Sequence, residues 1–219
     1  ATKVAQFLLD DDKRYFVRGK LGENTDTYDC EGVVIKTQPF KQLNQDEIMA
    51  VALSFKGDIL QVPPMYSALK KDGQPLYKLA RQGIEIERPA RPVTIHDINF
   101  ISYEQGVMNL DVSCSKGTYI RSLIQDIGDK LGCGAHVIEL RRTGFAHLDI
   151  SETIKFCELE ALVTEDYQQL DAHISPSENM LPNIQDASLD TQQIIDIKFG
   201  RAVQSGQLGE QHMVKLFGP

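Results

Sequence analysis

Within SCSKGTYIRSLIQDIG a β-rich run passes through a Lys-Gly turn into a helix that is otherwise apolar on one side, and Tyr119 and Arg121 fall in its first turn. An arginine at the start of a buried helix can hold a carboxylate ionised in a dry pocket, where losing one partner costs ~3–5 kcal/mol. The alternative is a surface arginine whose stem lies along the core. The aspartates of Asp10-Asp11-Asp12 offer acids or bases, but such a run before a strand reads as a solvated turn. No G-x-S-x-G, Walker loop, H-E-x-x-H or metal-ligand spacing is present, and the five histidines are scattered. Cys30, Cys114, Cys133 and Cys157 form no C-x-x-C pair, so the expectation is buried free thiols without zinc ribbon or disulfide framework.

Charge points two ways. The net charge of -8 argues against a polyanionic partner, because nucleic acids are bound by neutralising phosphates with Lys and Arg. Its distribution points the other way: residues 1–150 carry 19 basic against 20 acidic side chains, whereas residues 151–219 carry 4 against 11. Between Pro63 and Pro92, Lys70, Lys71, Lys78, Arg81, Arg88 and Arg91 outnumber Asp72, Glu85 and Glu87. That stretch is either a phosphate-facing patch or a solvated surface loop.

The elements that must position these residues follow from pattern. Arg14–Leu21 and Gly32–Lys36 read as strands joined by the turn-rich GENTDTYDCEG. Asn44 and Glu47 have capping-box spacing ahead of Ile48, Val51, Ala52 and Phe55, a helix that ends at Lys56-Gly57. Five of the nine prolines fall in QVPPMYSALKKDGQPLYKLARQGIEIERPARP, which reads as an inserted arm with a short amphipathic stretch, Leu76, Leu79 and Ala80, stopped at Gly83. Val93–Tyr103 and Val107–Ser113 form two more strands, the second alternating so that one sheet face is wet. A helix from Thr118 aligns Ile120, Leu123, Ile124, Ile127 and Leu131 and stops at Gly132, and a strand run follows over His136–Leu148. After Ser151 comes Glu-rich helical text, a linker SPSENMLPN and a short helix Thr191–Phe199. The fold class is α+β, a mixed and mainly antiparallel sheet flanked by helices.

A chain of 219 residues with 42% apolar and 25% charged content can bury a sizeable core. No apolar run approaches the ~18 residues that span a bilayer, and residues 1–12 lack the layout of a signal peptide, so a soluble cytoplasmic protein is expected.

Three stretches, KRYFVRGKLGENTDTYDCEG, PPMYSALKKDGQPLYKLARQG and CSKGTYIRSLIQDIGDKLGCGAHVIELRRTGFA, resemble in order and spacing the bacterial TruB-type tRNA pseudouridine synthases. The stand-alone bacterial branch fits better than the guide-RNA-dependent one, because the arm and GENTDTYDCEG resemble the former. The likeness runs from Ala1 to about Gly144 and is looser beyond. It implies a pseudouridine synthase catalytic domain over 1–175 lacking its N-terminal part, an RNA-binding insertion at about 63–92, and a partial PUA-like RNA-binding domain over 181–219, so that the chain resembles a family member trimmed at both ends.

The resemblance further implies that uridine-55 in the T-arm loop of tRNA is flipped out and isomerised without cofactor or metal. Breaking the N-glycosidic bond, turning the base and rejoining it through C5 requires a flat wall in a dry pocket. Tyr15 matches the family's uracil-stacking tyrosine, a contact worth ~1–3 kcal/mol; from pattern alone it reads as a half-buried strand tyrosine. Tyr119 matches a substrate-contacting tyrosine, Arg121 the arginine that supports the catalytic aspartate, and Leu140 an apolar pocket residue or plain core leucine. Lys70, Lys71, Lys78 and Arg81 match the arm that closes over tRNA. The family's nucleophilic Asp lies in a G-x-L-D-P-x-A-x-G motif with no counterpart in these 219 residues. Arg121 is therefore expected to lack a partner, and these residues alone are expected to be inactive. A non-catalytic tRNA-binding or RNA-folding protein is the competing reading; a monomer with no protein partner is the default.

Overall fold

Alternating apolar side chains and a few tight turns assemble one antiparallel sheet, seen in a computed structural model that describes residues 2–39, 43–165, 167–203 and 213–217. The strands along the chain are β1 (Lys13–Leu21), β2 (Glu23–Thr25), β3 (Val34–Thr37), β4 (Gly57–Gln61), β5 (Lys70–Lys71), β6 (Gln74–Pro75), β7 (Arg91–Glu104), β8 (Val107–Cys114), β9 (Ala135–Phe145) and β10 (Leu148–Asp149). Six of them form the main sheet in the order β10-β9-β1-β8-β7-β4. Every neighbouring pair in it is antiparallel. β8 shows the expected alternation: Met108, Leu110, Val112 and Cys114 are buried, whereas Asn109, Asp111 and Ser113 stay half-buried on the opposite face.

The run 32–36 does become a strand, but β3 pairs with β2 in a separate ribbon. β1 has no free edge to offer, since β8 and β9 already occupy both sides of it.

Of the helices α1 (Thr2–Leu8), α2 (Gln45–Leu53), α3 (Leu76–Arg81) and α4 (Ile120–Lys130), α2 and α4 pack on the sheet and on each other. α2 starts at the predicted capping box: the Glu47 N–H donates to Asn44 Oδ1 at 2.8 Å and the Asn44 N–H to Glu47 Oε2 at 3.0 Å. α4 is the principal core helix, and Leu123, Ile124 and Ile127 are fully buried, each worth ~1.5–3 kcal/mol of apolar burial. Two glycines permit its close approach. A Cβ on Gly128 would strike the backbone at Gly134 and Ala135, and one on Gly19 of β1 would lie 2.8 Å from Ile124.

β4 and β7 pair directly, from Gly57 opposite Ile95 to Gln61 opposite Arg91, so residues 62–90 are an insertion in a hairpin. This is the expected arm. It carries the β5-β6 hairpin and α3.

The chain forms two compact units, Asp10–Thr153 and, together, Ala1–Leu9 with Ile154–Pro219. The second holds α1, α5 (Phe156–Glu165), α6 (Thr191–Lys198) and a parallel ribbon of β11 (Gln185–Ser188) and β12 (Val214–Phe217). Residues 204–212 and 218–219 of the expected C-terminal domain lie outside the described residues. The cysteine expectation needs correction: Cys114 and Cys133 are buried, but Cys30 and Cys157 are exposed, Cys30 because it lies in the loop after β2 and Cys157 because it opens the largely solvated α5.

Candidate active site and basic arm

The Lys116-Gly117 turn reverses the chain after β8, with Gly117 in the left-handed region at φ 79° and the Thr118 hydroxyl donating to the Ser115 carbonyl at 2.9 Å. Tyr119 is then the N-cap of α4 rather than a residue of its first turn, and its own side chain caps nothing. An amide from β4 takes over that task. Gln61, 2% exposed, accepts the Tyr119 N–H at 2.8 Å and donates to the Tyr119 carbonyl at 3.1 Å. One residue past Gln61, the Val62 carbonyl accepts the Ser122 hydroxyl at 3.1 Å.

Arg121 points out of this turn into a cage of acceptors. One terminal nitrogen (Nη1) donates to Asp29 Oδ2 at 2.8 Å and to the Thr27 carbonyl at 3.0 Å; the other (Nη2) donates to the Tyr66 carbonyl at 2.8 Å. The two side chains of the ion pair are 23% and 25% exposed. Arg121 therefore does have a partner, contrary to expectation. Asp29 lies in the stretch read only as a connecting turn, 92 residues away in sequence, so no local pattern joins the pair.

The Asp29 loop is itself fixed. Asp29 Oδ1 accepts the Thr27 hydroxyl at 2.6 Å and the Glu31 N–H at 3.2 Å. The Cys30 N–H donates to the Val137 carbonyl and the Val137 N–H to that of Tyr28, which ties the loop to β9. Tyr28 is held at φ 65°, a conformation that costs a non-glycine residue ~1 kcal/mol or more and persists because its neighbours over-determine it.

Tyr15 lies on β1 opposite Val112 on one side and Arg142 on the other, half-buried against the core. Burial raises its phenol pKa and the neighbouring Cys114 thiol adds to that, while charge and a hydrogen bond from Arg142 oppose it. The phenol is thus neutral at physiological pH. Burial likewise pushes the Cys114 thiol up to about 11, with a hydrogen bond from Thr118 opposing it. Leu140 pairs with Val17 but is 43% exposed, so it is not a core leucine. Cross-strand neighbours share a face, which groups Tyr15, Leu140 and Arg142. Sequence reasoning missed Arg142, Asp29 and Gln61; Arg142 adjoins Tyr15 only through strand register.

In the arm, the Asp72-Gly73 turn has φ of 49° and 81°, the paired left-handed geometry of a tight hairpin, and presents Lys70 and Lys71. Lys78 and Arg81 project from α3, with Arg81 5.6 Å from the Tyr77 ring centre. All four are exposed, and none forms an ion pair among the described residues. Elsewhere Asp10 and Asp12 make exposed pairs with Lys116 and His96, which suits the solvated turn expected there. Among the described residues no group of three or more His, Cys, Asp or Glu gathers for a metal, and no helix is long and apolar enough to cross a membrane.

A mainly antiparallel sheet flanked by helices, as here, is the fold of pseudouridine synthases. Residues 1–120 match the TruB family pseudouridylate synthase N-terminal domain, and residues 121–182 the tRNA pseudouridylate synthase B C-terminal domain. The chain belongs to the TruB family. Curated relatives include tRNA pseudouridine synthase B of Haemophilus influenzae (strain 86-028NP), 48% identical over 99% of this chain and 71% of that protein, and its namesake in Shewanella sp. (strain MR-4), 44% identical over 99% and 70%. Among solved structures, a chain of a Cbf5-Nop10-Gar1 complex superposes with a TM-score of 0.66 at 26% identity, covering 91% of this chain and 52% of that one. A chain in the structure of an H/ACA RNP bound to a substrate RNA containing 2′-deoxyuridine shares the fold, with a TM-score of 0.60 at 23% identity. The chain thus spans about 70% of the length of these curated relatives and about half of the solved chains.

Proposed function

We propose that this chain is the uridine-binding body of a tRNA pseudouridine synthase that isomerises uridine-55 in the T-arm loop. The observation that carries the reading is the arrangement of Arg121. Three of the five N–H donors of its guanidinium are engaged by Asp29, Thr27 and Tyr66, leaving Nε–H and one terminal N–H for a further acceptor. A second carboxylate docked there would be held ionised and oriented, which is what a nucleophilic aspartate requires. That aspartate belongs to the G-x-L-D-P-x-A-x-G motif, absent from these 219 residues.

In this scheme the base leaves its stack at a cost of a few kcal/mol and is received against the ring of Tyr15, with Tyr119 and Leu140 as further walls. The neutral phenol of Tyr15 keeps the pocket free of a competing anion. The reaction is a redox-neutral isomerisation and calls on no cofactor. Lys70, Lys71, Lys78 and Arg81 take phosphates of the T-arm, because a folded RNA arm is recognised by shape and backbone contacts with one loop base splayed out. The catalytic domain extends over 1–175 and a PUA-like domain begins near 181; the protein works as a cytoplasmic monomer without a protein partner.

The test is tritium release from tRNA labelled at uracil C5, with these residues alone and with the chain extended upstream to carry the motif. Release only from the extended chain is expected. Release from neither, with salt-sensitive tRNA binding retained, would replace this reading with a non-catalytic tRNA-binding or RNA-folding protein.

A further inference from the structure

Two cavities open beside the arm, and Arg88 lines both. Its side chain is only 13% exposed, yet its ion pair is one long contact, 3.4 Å, from a terminal nitrogen to Glu85. Its Nε–H is sealed from water and meets no acceptor. A guanidinium desolvated to this degree with so little repayment lowers stability, since burying an ion is offset only by close, well-satisfied partners. Packing alone does not account for an arginine at this position.

The surroundings do. The second cavity, about 260 Å³, is walled by Lys70 and Lys71 from the hairpin and by Arg88 and Arg91 from the stem that returns to the sheet, against the single carboxylate of Glu87. Four cations and one anion enclose a concavity with apolar side chains such as Leu76 and Ile86 behind them. The first cavity, about 310 Å³, sets Asp26 and Glu85 against Arg88 alone and has no such bias. The second is also smaller than the ~300–1,000 Å³ of a drug-sized ligand site, which suits a phosphate with part of its sugar.

We propose that the 260 Å³ cavity is a phosphodiester-binding site for RNA, with Arg88 and Arg91 on the phosphate oxygens and Lys70 and Lys71 closing from the hairpin. This rests on the tRNA-binding reading above and adds to it a location. Arginine suits the role because its fork pairs two phosphate oxygens at once. Lys70 and Lys71 belong to the arm, whereas Arg91 opens β7 of the main sheet. A phosphate seated among them would touch both the arm and the first residue of β7 in the main sheet.

The experiment is equilibrium binding of a tRNA transcript to the protein over about 50–300 mM salt, with Arg88→Met, Arg91→Met and, as control, Lys56→Met. Lys56 pairs with Asp97 outside the cavity. Each arginine variant is expected to weaken binding about 5–10-fold near physiological salt and to reduce the slope of log K against log salt by about 0.7–0.9. Arg88→Met should melt no lower than the parent, because it removes an unrepaid buried charge; Lys56→Met should change neither slope nor affinity. Wild-type slopes in both arginine variants would overturn the proposal, as would a lowered melting temperature for Arg88→Met together with unchanged binding by Arg91→Met. Should Arg88→Met fail to fold, the exposed Arg91 decides alone. A parent protein with no salt-dependent tRNA binding would instead sink the reading on which the proposal rests.

Discussion

Arg121→Met keeps the volume of the arginine stem and deletes its guanidinium. The Asp29 carboxylate and the carbonyls of Thr27 and Tyr66 then lose a donor at once. Stripping one partner from a buried ion pair costs ~3–5 kcal/mol. These side chains are about a quarter exposed, and water repays part of the loss, which brings the expected destabilisation to ~2–4 kcal/mol. Asp29→Asn is gentler: an oxygen still accepts the Thr27 hydroxyl and the Glu31 N–H, and Arg121 keeps both carbonyls, so ~1–2 kcal/mol is expected. With both changes no unpaired charge remains, and the double variant should fall short of additivity by ~1–2 kcal/mol. Urea unfolding of the parent, both single variants and the double variant at neutral pH measures this, provided the m-values agree. A coupling below ~0.5 kcal/mol would mean that Asp29 and Arg121 do not sense each other in solution, and the account of the cage as a single unit would fail.

Three further outcomes are expected. Gln61→Leu strips the Tyr119 N–H of its acceptor and leaves the Tyr119 carbonyl only the Leu123 N–H, a loss of ~1–3 kcal/mol seen as a lower urea midpoint, whereas Gln61→Glu at neutral pH sets a buried carboxylate oxygen against that carbonyl and should lose at least as much. Gly128→Ala drives a methyl into the backbone at Gly134 and Ala135, so it should cost ~3 kcal/mol or more, although alanine is the better helix former by ~1 kcal/mol; a neutral result in thermal melting would contradict the observed packing of α4 on β9. Asp126 is pushed up to about 6 by burial, with Asp129 adding to it, from an ordinary value of 3.8. The folded state therefore holds that proton more tightly than the unfolded chain does. Stability contributed by Asp126 is full below pH ~4, is lost as pH rises to about 6 and stays lost above; Asp126→Asn should remove that slope and gain ~1–2 kcal/mol at pH 7, after discount for the part of the side chain that water reaches.

Elements built from local rules were legible in the sequence. The capping box of α2, the apolar stripe of α4 with its glycine stop and the alternation along β8 each depend on residues within one or two turns of one another. The arm was legible for a related reason, because prolines and turn residues crowd into it and the flanking strands are strongly patterned. What escaped is long-range. Nothing in GENTDTYDCEG marks Asp29 for a helix 92 residues on, and Gln61 reads as a polar residue at a strand end until the fold brings it to Tyr119. Leu140 and Arg142 acquire their neighbours from the register of β9 on β1, which shifts at two irregularities that no alternation pattern announces.

Those long-range contacts share one feature. Gln61 grips both backbone groups of Tyr119, the Val62 carbonyl holds Ser122, and the Tyr66 carbonyl holds Arg121. Residues 61–66 therefore form a strap across the first turn of α4, and the same strap is the stem from which the arm departs. Hydrogen bonds near 3 Å weaken steeply once donor and acceptor separate or misalign. A displacement of the arm that reached Tyr66 would be felt at the Arg121 guanidinium within a single bond, whereas a displacement absorbed beyond Ser67 would not. The hairpin and α3 lie beyond that point, and the Leu76 N–H to Leu69 carbonyl and Tyr77 N–H to Ser67 carbonyl bonds fasten them to each other. The arm is thus fastened internally as a unit, while the strap joins its root to the first turn of α4 and to the caged arginine.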